Sequence, residues 1–414
     1  MNIWIINHYA MPPEYEVRVR NNVMAKYLNL SGHKVKIISA STIHNTDINL
    51  MDNEPKKVIE RSYEDLDFIH IKTSNYEGSR IKRIINHLQF PIRLLMNYKK
   101  ISLKPDVIVC DLGVLFALSP LFIAKKLRVK FILEVRDLWP ESIVGLLRLS
   151  KNNPFIKILY SVEKYVYRKS DSLIFTMPGG KDYIKDRSWD TILDMSKIHN
   201  ITNGVDTKVY KENIVDYPLE DRELENPDTF KVIYTGSIRL ANDVEAIINA
   251  AKKVKELSSK IIFIIYGEGS DKEALIRKCA NEEIDNVVFK GQVDKKYIPY
   301  ILSRSDLNIL HCKPTPTFRY GGSLNKLSEY IVSGKPILST IQMSYNPITK
   351  YNCGIVTEDS SANQIAKGVM YFYSMGENEY KIYCDNALTA AKSLDYRTLT
   401  SELEDILMHG NSSL

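Results

Sequence analysis

Several features that would assign this chain to a special class of protein are scarce in its sequence. Only five cysteines occur among 414 residues, widely scattered and without a C-x-x-C pair. This argues against a disulfide framework or a zinc site and for a reducing compartment. The charge-free stretch 112–124 is far shorter than the roughly 18 apolar residues that cross a bilayer. The first apolar run, near 3–6, is too short for a signal peptide. We expect a globular cytoplasmic protein without a membrane-spanning segment.

The charge is unevenly distributed along the chain. The net charge is +6, but residues 1–205 have 31 Lys and Arg against 21 Asp and Glu, whereas residues 206–414 have 25 against 29. A basic half beside a mildly acidic half indicates that the first half meets an anionic partner.

Short β-branched runs alternate with helical patterns, which is typical of parallel α/β sheets. The length allows two domains, and the polar stretch 211–228 predicts the linker region between them. We expect an N-terminal domain over 1–205 and a C-terminal domain over 206–385. The expected strands are 2–6, 34–39, 67–72, 106–110, 130–135, 172–176, 198–201, 230–235, 260–266, 286–289, 306–310, 336–340 and 354–357.

The most informative motif is a helix predicted from Ser323 to Tyr330 and stopped by Gly334. Lys326 and Glu329 are three residues apart and project from one side, away from the apolar stripe. A helix N-terminus and a lysine suit a diphosphate, and a carboxylate one turn further can accept from both ribose hydroxyls. The alternative is an ordinary surface ion pair between Lys326 and Glu329.

Two glycine loops follow strands in the second half. The candidate ligand-binding residues there are Gly236, Ser237 and Arg239 in the first loop and Gly267 and Gly269 in the second. Glycine lets the backbone approach a phosphate, and arginine offers a planar fork for it. Asn242 and Glu245 predict a capping box at the next helix. A plain strand–turn–helix explains each loop as well.

The first half carries two polar loops after predicted strands. The first contains three candidate residues: His8, Glu14 and Arg18. The second follows the strand near 130–135 and contains Arg136, Asp137 and Trp139. The alternatives are a structural histidine and an Arg136–Asp137 brace with Trp139 as a core plug. No His, Asp or Cys cluster suggests a metal site, so neither a metal nor another cofactor is expected.

In their order along the chain, these motifs resemble the retaining glycosyltransferases of family 4. The Arg-Asp-Leu-Trp-Pro-Glu run at 136–141 is similar to the subgroup that includes the L-fucosamine transferases of O-antigen and capsule assembly. The resemblance implies an α/β GT-B fold, with two Rossmann-like parallel-sheet domains facing each other across a cleft. A C-terminal helix, about 386–414, would then join the first domain.

The resemblance also implies roles for the candidate residues. Arg239 and Lys326 would neutralise the leaving diphosphate, and Glu329 would hold the ribose. Asp137 would orient or deprotonate the acceptor, with His8 as a second catalytic candidate. Glu14, Arg18 and Arg136 would lie on the acceptor side. Further donor contacts would come from Gly321, Gly322, Ser323 and Asn325.

Two departures from the family pattern affect this interpretation. The family pairs two glutamates as E-x7-E, but the position eight residues before Glu329 is Gly321. The Gly-Gly pair that many members carry after the first strand is also missing, because residues 15–18 read Tyr-Glu-Val-Arg. Neither the donor sugar nor the acceptor contacts follow from these positions.

The sequence therefore predicts a retaining, metal-independent glycosyltransferase. Its donor would be a UDP-sugar, with an N-acetylated amino or deoxyamino sugar favoured, and its acceptor a polyprenyl-diphosphate-linked saccharide of bacterial O-antigen or capsule synthesis. Residues 79–104, with seven Lys and Arg, no acid and apolar residues at helical spacing, predict two short helices resting on an anionic membrane. We expect a peripheral protein on the inner face of the cytoplasmic membrane that binds no nucleic acid. A nucleotide-sugar 2-epimerase and a non-catalytic nucleotide-sugar-binding partner are the alternatives.

Overall fold

The computed structural model describes residues 1–15, 19–44, 46–147, 150 and 152–409. The chain divides into two compact units. Unit 1 contains residues 1–202 and the chain from Leu399 onward, and unit 2 contains residues 203–398. Each unit has its own sheet, as the strand pattern predicts.

Unit 1 is built on an eight-stranded sheet. Its strands are β1 Asn2–Asn7, β2 Lys34–Ala40, β3 Val58–Tyr63, β4 Leu66–Ile71, β5 Val107–Asp111, β6 Lys130–Val135, β7 Ser172–Phe175 and β8 Ile198–Asn200. They lie in the order β3-β4-β2-β1-β5-β6-β7-β8, parallel except for β3. The central strands are buried almost throughout, as expected where helices cover both faces. The sequence did not predict β3, because its edge position leaves Glu60, Arg61 and Ser62 exposed and gives no apolar run.

The helices of unit 1 before residue 202 are α1 Arg20–Leu30, α2 Arg80–Asn97, α3 Val114–Leu127, α4 Glu141–Leu147, α5 Pro154–Lys169 and α6 Gly180–Asp186. α2 packs against α3, and α3 packs against α5. The prediction of two short helices in 79–104 was wrong, because α2 runs unbroken through Pro91. Phe90 and Leu94 are both fully buried, so tertiary packing compensates for the amide that proline lacks.

Unit 2 is built on a six-stranded parallel sheet. Its strands are β9 Phe230–Thr235, β10 Ile261–Tyr266, β11 Val287–Gly291, β12 Leu307–Leu310, β13 Ile337–Ser339 and β14 Gly354–Val356, in the order β11-β10-β9-β12-β13-β14. Its helices are α7 Thr207–Asp216, α8 Arg222–Glu225, α9 Val244–Lys255, α10 Lys272–Asn281, α11 Ile298–Ser303, α12 Asn325–Val332, α13 Pro347–Tyr351, α14 Ala362–Tyr373 and α15 Glu377–Ala391.

The interpretation of 211–228 as a linker was wrong. This stretch contains the end of α7 and all of α8 and lies inside unit 2, where Tyr210 and Leu224 are buried in the core. The last helix, α16 Tyr396–His409, belongs to unit 1 from Leu399 onward. There the His33 Nε2 and Glu404 Oε1 atoms are 2.9 Å apart.

Candidate functional site

In unit 2, helix α12 places Lys326 against the first glycine loop. Lys326 Nζ donates to the Tyr234 hydroxyl at 3.0 Å and lies 4.4 Å from the centre of that ring. An added Cβ at Gly236 would lie 2.8 Å from the same nitrogen, and Gly236 has a φ of 148°, a conformation that suits glycine alone. Burial lowers the pKa of Lys326 to about 8. The structure thus sets a desolvated cation directly against the first glycine loop.

Glu329 lies one turn further along α12. It does not pair with Lys326, so the simple surface ion pair between them is wrong. Its Oε1 instead lies 2.9 Å from Lys295 Nζ, and its side chain is 15% exposed. A carboxylate that keeps partial exposure can accept hydrogen bonds from a ligand as well as from lysine.

The start of α12 is held by Asn203. The Asn203 backbone amide donates to Ser323 Oγ at 2.7 Å, and its side-chain amide donates to the Ser323 carbonyl at 2.9 Å. Ser328 Oγ donates back to the Asn203 carbonyl at 3.0 Å. The helix begins at Asn325, two residues later than predicted, and Leu324 as its N-cap offers no side-chain cap. No side chain of the described residues caps the N-terminal amides of α12, and such amides suit an anion.

The two glycine loops pack against each other. Gly236 N donates to the Tyr266 carbonyl, and Ile238 N donates to the Glu268 carbonyl, both at 2.9 Å. An added Cβ would lie 1.8 Å from the Gly236 oxygen at Gly267 and 2.0 Å from the Ile238 oxygen at Gly269. Close loop packing alone therefore requires glycine at 267 and 269. Gly321, with a φ of 84°, and Gly322, close to Met343, lie in the loop before α12.

The capping box predicted at α9 was wrong. Asp243, not Asn242, precedes the helix, in a left-handed conformation without a side-chain cap. Asn242 Nδ2 instead donates to the Ser237 carbonyl and hydroxyl at 2.8 and 2.7 Å. Arg239 is exposed, and its guanidinium has no partner among the described residues, so it can turn toward a ligand.

Sequence reasoning missed His311, which directly follows β12. It is 1% exposed, and its Nδ1 lies 2.7 Å from Thr340 Oγ1. Its Nε2 is buried without a hydrogen-bond partner in the described part of the chain. Burial lowers its pKa, although Asp243 opposes that shift, and the charge of Lys326 adds a smaller effect in the direction of burial. Only the tertiary structure shows that a buried nitrogen is unpartnered, so no sequence signal identifies it.

In unit 1, the loops after β5 and β6 line an open pocket of about 60 Å³, with Asp111, Gly113, Arg136, Asp137 and Trp139 among its lining residues. Arg136 donates to Asp111 Oδ2 at 3.0 Å; the alternative considered, an ion pair between Arg136 and Asp137, is not found among the described residues. Asp137 stays exposed, and Trp139 is 38% exposed and is no core plug. An exposed carboxylate beside an exposed indole suits a sugar, which offers hydroxyls and an apolar face.

Asp111 ends β5 and forms the charged floor of this pocket. Its Oδ2 accepts from Asn7 Nδ2 at 2.5 Å as well as from Arg136. Burial raises the pKa of Asp111 to about 6, while the Arg136 charge opposes that rise. No motif in the sequence identifies Asp111 as a candidate.

The loop after β1 contains the remaining candidates. His8 is 4% exposed and bonded to Asn86 of α2, and burial lowers the pKa of His8 to about 3. Glu14 is exposed in the turn Pro13–Tyr15. Arg18 lies outside the described residues.

Residues 218–388 match the family model described as glycosyl transferases group 1. This stretch contains α12 and both glycine loops. An uncharacterized glycosyltransferase of Methanocaldococcus jannaschii is 24% identical over 236 residues, 55% of either chain. The putative teichuronic acid biosynthesis glycosyltransferase TuaH of Bacillus subtilis is 24% identical over 255 residues, 60% of either chain. The chain thus spans little more than half the length of these curated relatives.

A solved structure of Anabaena Alr3699/HepE in complex with UDP and glucose has a TM-score of 0.66 at 12% identity, over 98% of this chain and 99% of that one. This likeness confirms the fold, which is GT-B, with two Rossmann-like parallel-sheet domains.

Proposed function

We propose that the chain is a retaining glycosyltransferase that moves a sugar from a UDP-linked donor to a lipid-linked saccharide in bacterial surface polysaccharide synthesis. The observation that carries this proposal is Lys326, a desolvated cation against the Gly236 loop, with Glu329 one turn away. The match of residues 218–388 to group 1 glycosyl transferases and the UDP bound to HepE support the donor class. The likeness to TuaH supports a polysaccharide acceptor.

In this proposal unit 2 binds the donor. Lys326, Arg239 and the N-terminal amides of α12 offset the diphosphate charge that grows as the bond to the sugar C1 breaks. They would take the place of a divalent metal. Glu329 accepts from the ribose hydroxyls, moving away from Lys295. The loop around Gly321 and Gly322 lies beside the donor sugar.

Unit 1 binds the acceptor. The acceptor hydroxyl attacks the sugar C1 on the face that the diphosphate leaves, and its proton passes to the leaving phosphate or to Asp137. Trp139 offers a wall for the apolar face of a sugar ring, and Arg136 stays oriented by Asp111. The donor sugar favoured is an N-acetylated amino or deoxyamino sugar, as the resemblance at 136–141 implies.

The surface of three adjacent helices in unit 1 supports the proposal that the acceptor is bound to a membrane. Among the described residues, no helix is long and apolar enough to span a bilayer. α2, α3 and α5 nevertheless expose a set of large apolar side chains, here called the basic–apolar face: Ile81, Ile84, Ile85, Leu88, Ile92, Met96, Leu115, Phe122, Phe155, Ile158 and Tyr165. These three helices carry ten Lys and Arg, and their one acid, Glu163, is fully buried. Such a face suits anionic lipid headgroups.

The test is incubation of the purified chain with radiolabelled UDP-glucose or UDP-N-acetylglucosamine and a farnesyl-diphosphate-linked N-acetylglucosamine. Label in the lipid fraction, lost in the Lys326→Met variant, supports the proposal. Conversion of the free UDP-sugar to its C2 epimer without transfer would identify an epimerase. UDP binding without either reaction would identify a non-catalytic partner. Either of these outcomes contradicts the proposal.

A further inference from the structure

The buried environment of His8 is built by helix α2. His8 follows β1 directly, and its Nε2 lies 2.7 Å from Asn86 Oδ1. Its ring stacks on His87 at 4.3 Å, with an angle of 9° between the ring planes, and meets Phe90 edge-on at 5.2 Å. Three residues on the inner side of α2 thus hold one imidazole.

The hydrogen bonds of Asn86 determine which nitrogen of His8 carries the proton. Asn86 Nδ2 donates to the Ser74 carbonyl at 2.7 Å and to Thr42 Oγ1 at 3.1 Å. A carbonyl oxygen only accepts, so the amide nitrogen must face Ser74 and the amide oxygen must face His8. An amide oxygen also only accepts, so His8 Nε2 must carry the hydrogen.

The other nitrogen of His8 is therefore a free acceptor. Nδ1 is buried and has no hydrogen-bond partner among the described residues. A buried polar atom without a partner is rare and often marks a site where a ligand or water completes the bonding.

The groups around the ring keep it neutral. His87 and Arg83 from α2 and His44 from the loop after β2 all lower the pKa of His8, and only the Asn86 bond raises it. The hydroxyl of Tyr9 accepts from Arg83 at 3.0 Å and lies 2.6 Å from His87 Nε2. The Tyr9 hydroxyl keeps its own hydrogen to donate to His87 Nε2. Burial lowers the pKa of His87 to about 4, so this neighbour is neutral too.

We propose that Asn86 is a positioning residue that holds His8 as the Nε2–H tautomer, so that His8 Nδ1 accepts a hydrogen bond from a hydroxyl of the acceptor saccharide. The identity of this ligand rests on the proposed function, whereas the tautomer does not. In this arrangement His8 acts as an acceptor of a proton or hydrogen bond and never as an acid.

The test is a nitrogen–proton correlation spectrum of the full chain labelled with ¹⁵N-histidine, with the His8 signals assigned by the His8→Gln variant. In the wild type we expect a protonated Nε2 and an unprotonated Nδ1 across neutral pH. In Asn86→Leu this pattern should be lost, because no acceptor holds Nε2–H.

Gln89→Leu is the matched control. Gln89 also ties α2 to Ser74, by accepting from its amide at 2.8 Å, but no hydrogen bond to His8 is formed in the described structure. The His8 tautomer should be unchanged in this variant. A wild-type Nδ1–H tautomer or imidazolium would overturn the proposal whether or not the chain transfers sugar. Loss of the tautomer in Gln89→Leu as well would show that Asn86 only anchors the helix.

A second arm uses Asn86→Asp and the farnesyl-diphosphate-linked acceptor. A carboxylate at 86 favours the imidazolium and raises the His8 pKa. At an assay pH below the raised pKa of His8, kcat/KM should then fall about tenfold for each pH unit between the two. UDP affinity should stay unchanged. An unaltered pH profile in a variant whose spectrum shows protonated His8 would overturn the role of Nδ1. An intact wild-type tautomer in a chain that transfers no sugar would instead count against the proposed function.

Discussion

At the scale of single residues, the proposed donor site depends on the charge of Lys326. A bound diphosphate favours the lysine cation. Binding should therefore take up protons at a pH near 8, the pKa of Lys326 in the unliganded protein. UDP affinity should be highest below that pH and decline as the pH rises through it. Lys326→Met should weaken UDP binding about 10- to 150-fold, as expected for hydrogen bonds to a charged group. Calorimetry across pH 7 to 9 measures both effects.

Lys272→Met serves as the control for this lysine. Lys272 pairs with Glu268 in the neighbouring glycine loop but does not face Gly236. The UDP affinity of the Lys272→Met variant should remain within about threefold of the wild-type value. If the UDP affinity of the wild type did not depend on pH, the charge of Lys326 would not contribute to UDP binding.

Glu329 can be tested through the ribose itself. If its carboxylate accepts from the diol, the wild type should prefer UDP to 2′-deoxy-UDP by about tenfold or more. Glu329→Gln should weaken UDP binding and lose most of that preference, because an amide oxygen is a weaker acceptor than a carboxylate. Glu245→Gln, an exposed α9 residue paired with Lys278, is the control. Full discrimination by Glu329→Gln would contradict the ribose assignment.

At the scale of elements, the basic–apolar face separates membrane binding from the donor site. Replacing Ile84, Ile85 and Leu88 by serine should reduce sedimentation with anionic vesicles, because three exposed apolar side chains no longer enter the interface. UDP affinity should be unaffected. Binding should also weaken with added salt, since lysines attract the headgroups. Flotation of the variant and the wild type with the same vesicles gives the comparison.

The matched control exchanges two exposed apolar residues outside this face. Val215 and Leu257 of unit 2 are as exposed as the α2 residues, and their serine variants should bind vesicles normally. Arg83 and Arg93 are poor choices for charge removal, because they donate to the Tyr9 hydroxyl and the Lys72 carbonyl. Wild-type protein that stays in the supernatant at low salt would refute the membrane proposal.

At the scale of the whole molecule, the last helix links the end of the chain to the stability of unit 1. Leu399, Leu403 and Leu407 of α16 are all buried. Leu403→Ala should lower the free energy of unfolding by about 2–5 kcal/mol, the usual cost of such a cavity. UDP affinity should not change, because the proposed donor residues lie in unit 2. Chemical denaturation and calorimetry test the two statements, and a changed UDP affinity would contradict the second.

The strands and the order of the motifs were predictable from sequence because both depend on short-range patterns. Thirteen of the strands fall within about two residues of their expected ends. Helix ends were less predictable: α12 begins late because Asn203, far away in sequence, holds Ser323, and α2 continues through Pro91. The capping box failed because the Asn242 side chain bonds to Ser237 in the preceding loop instead of capping the helix.

The sequence by itself determined the two α/β units, the position of Lys326 and Glu329 on one helix, and the uneven charge of the halves. These follow from local periodicity, helix geometry and composition. Only the tertiary structure decided that Lys326 is desolvated against Gly236, that Asp111 is the charged floor of a pocket, and that His8 has a free Nδ1. Desolvation, ion pairing and unpartnered atoms arise where segments distant in sequence come into contact. Tertiary packing determines these contacts, and the local sequence pattern does not.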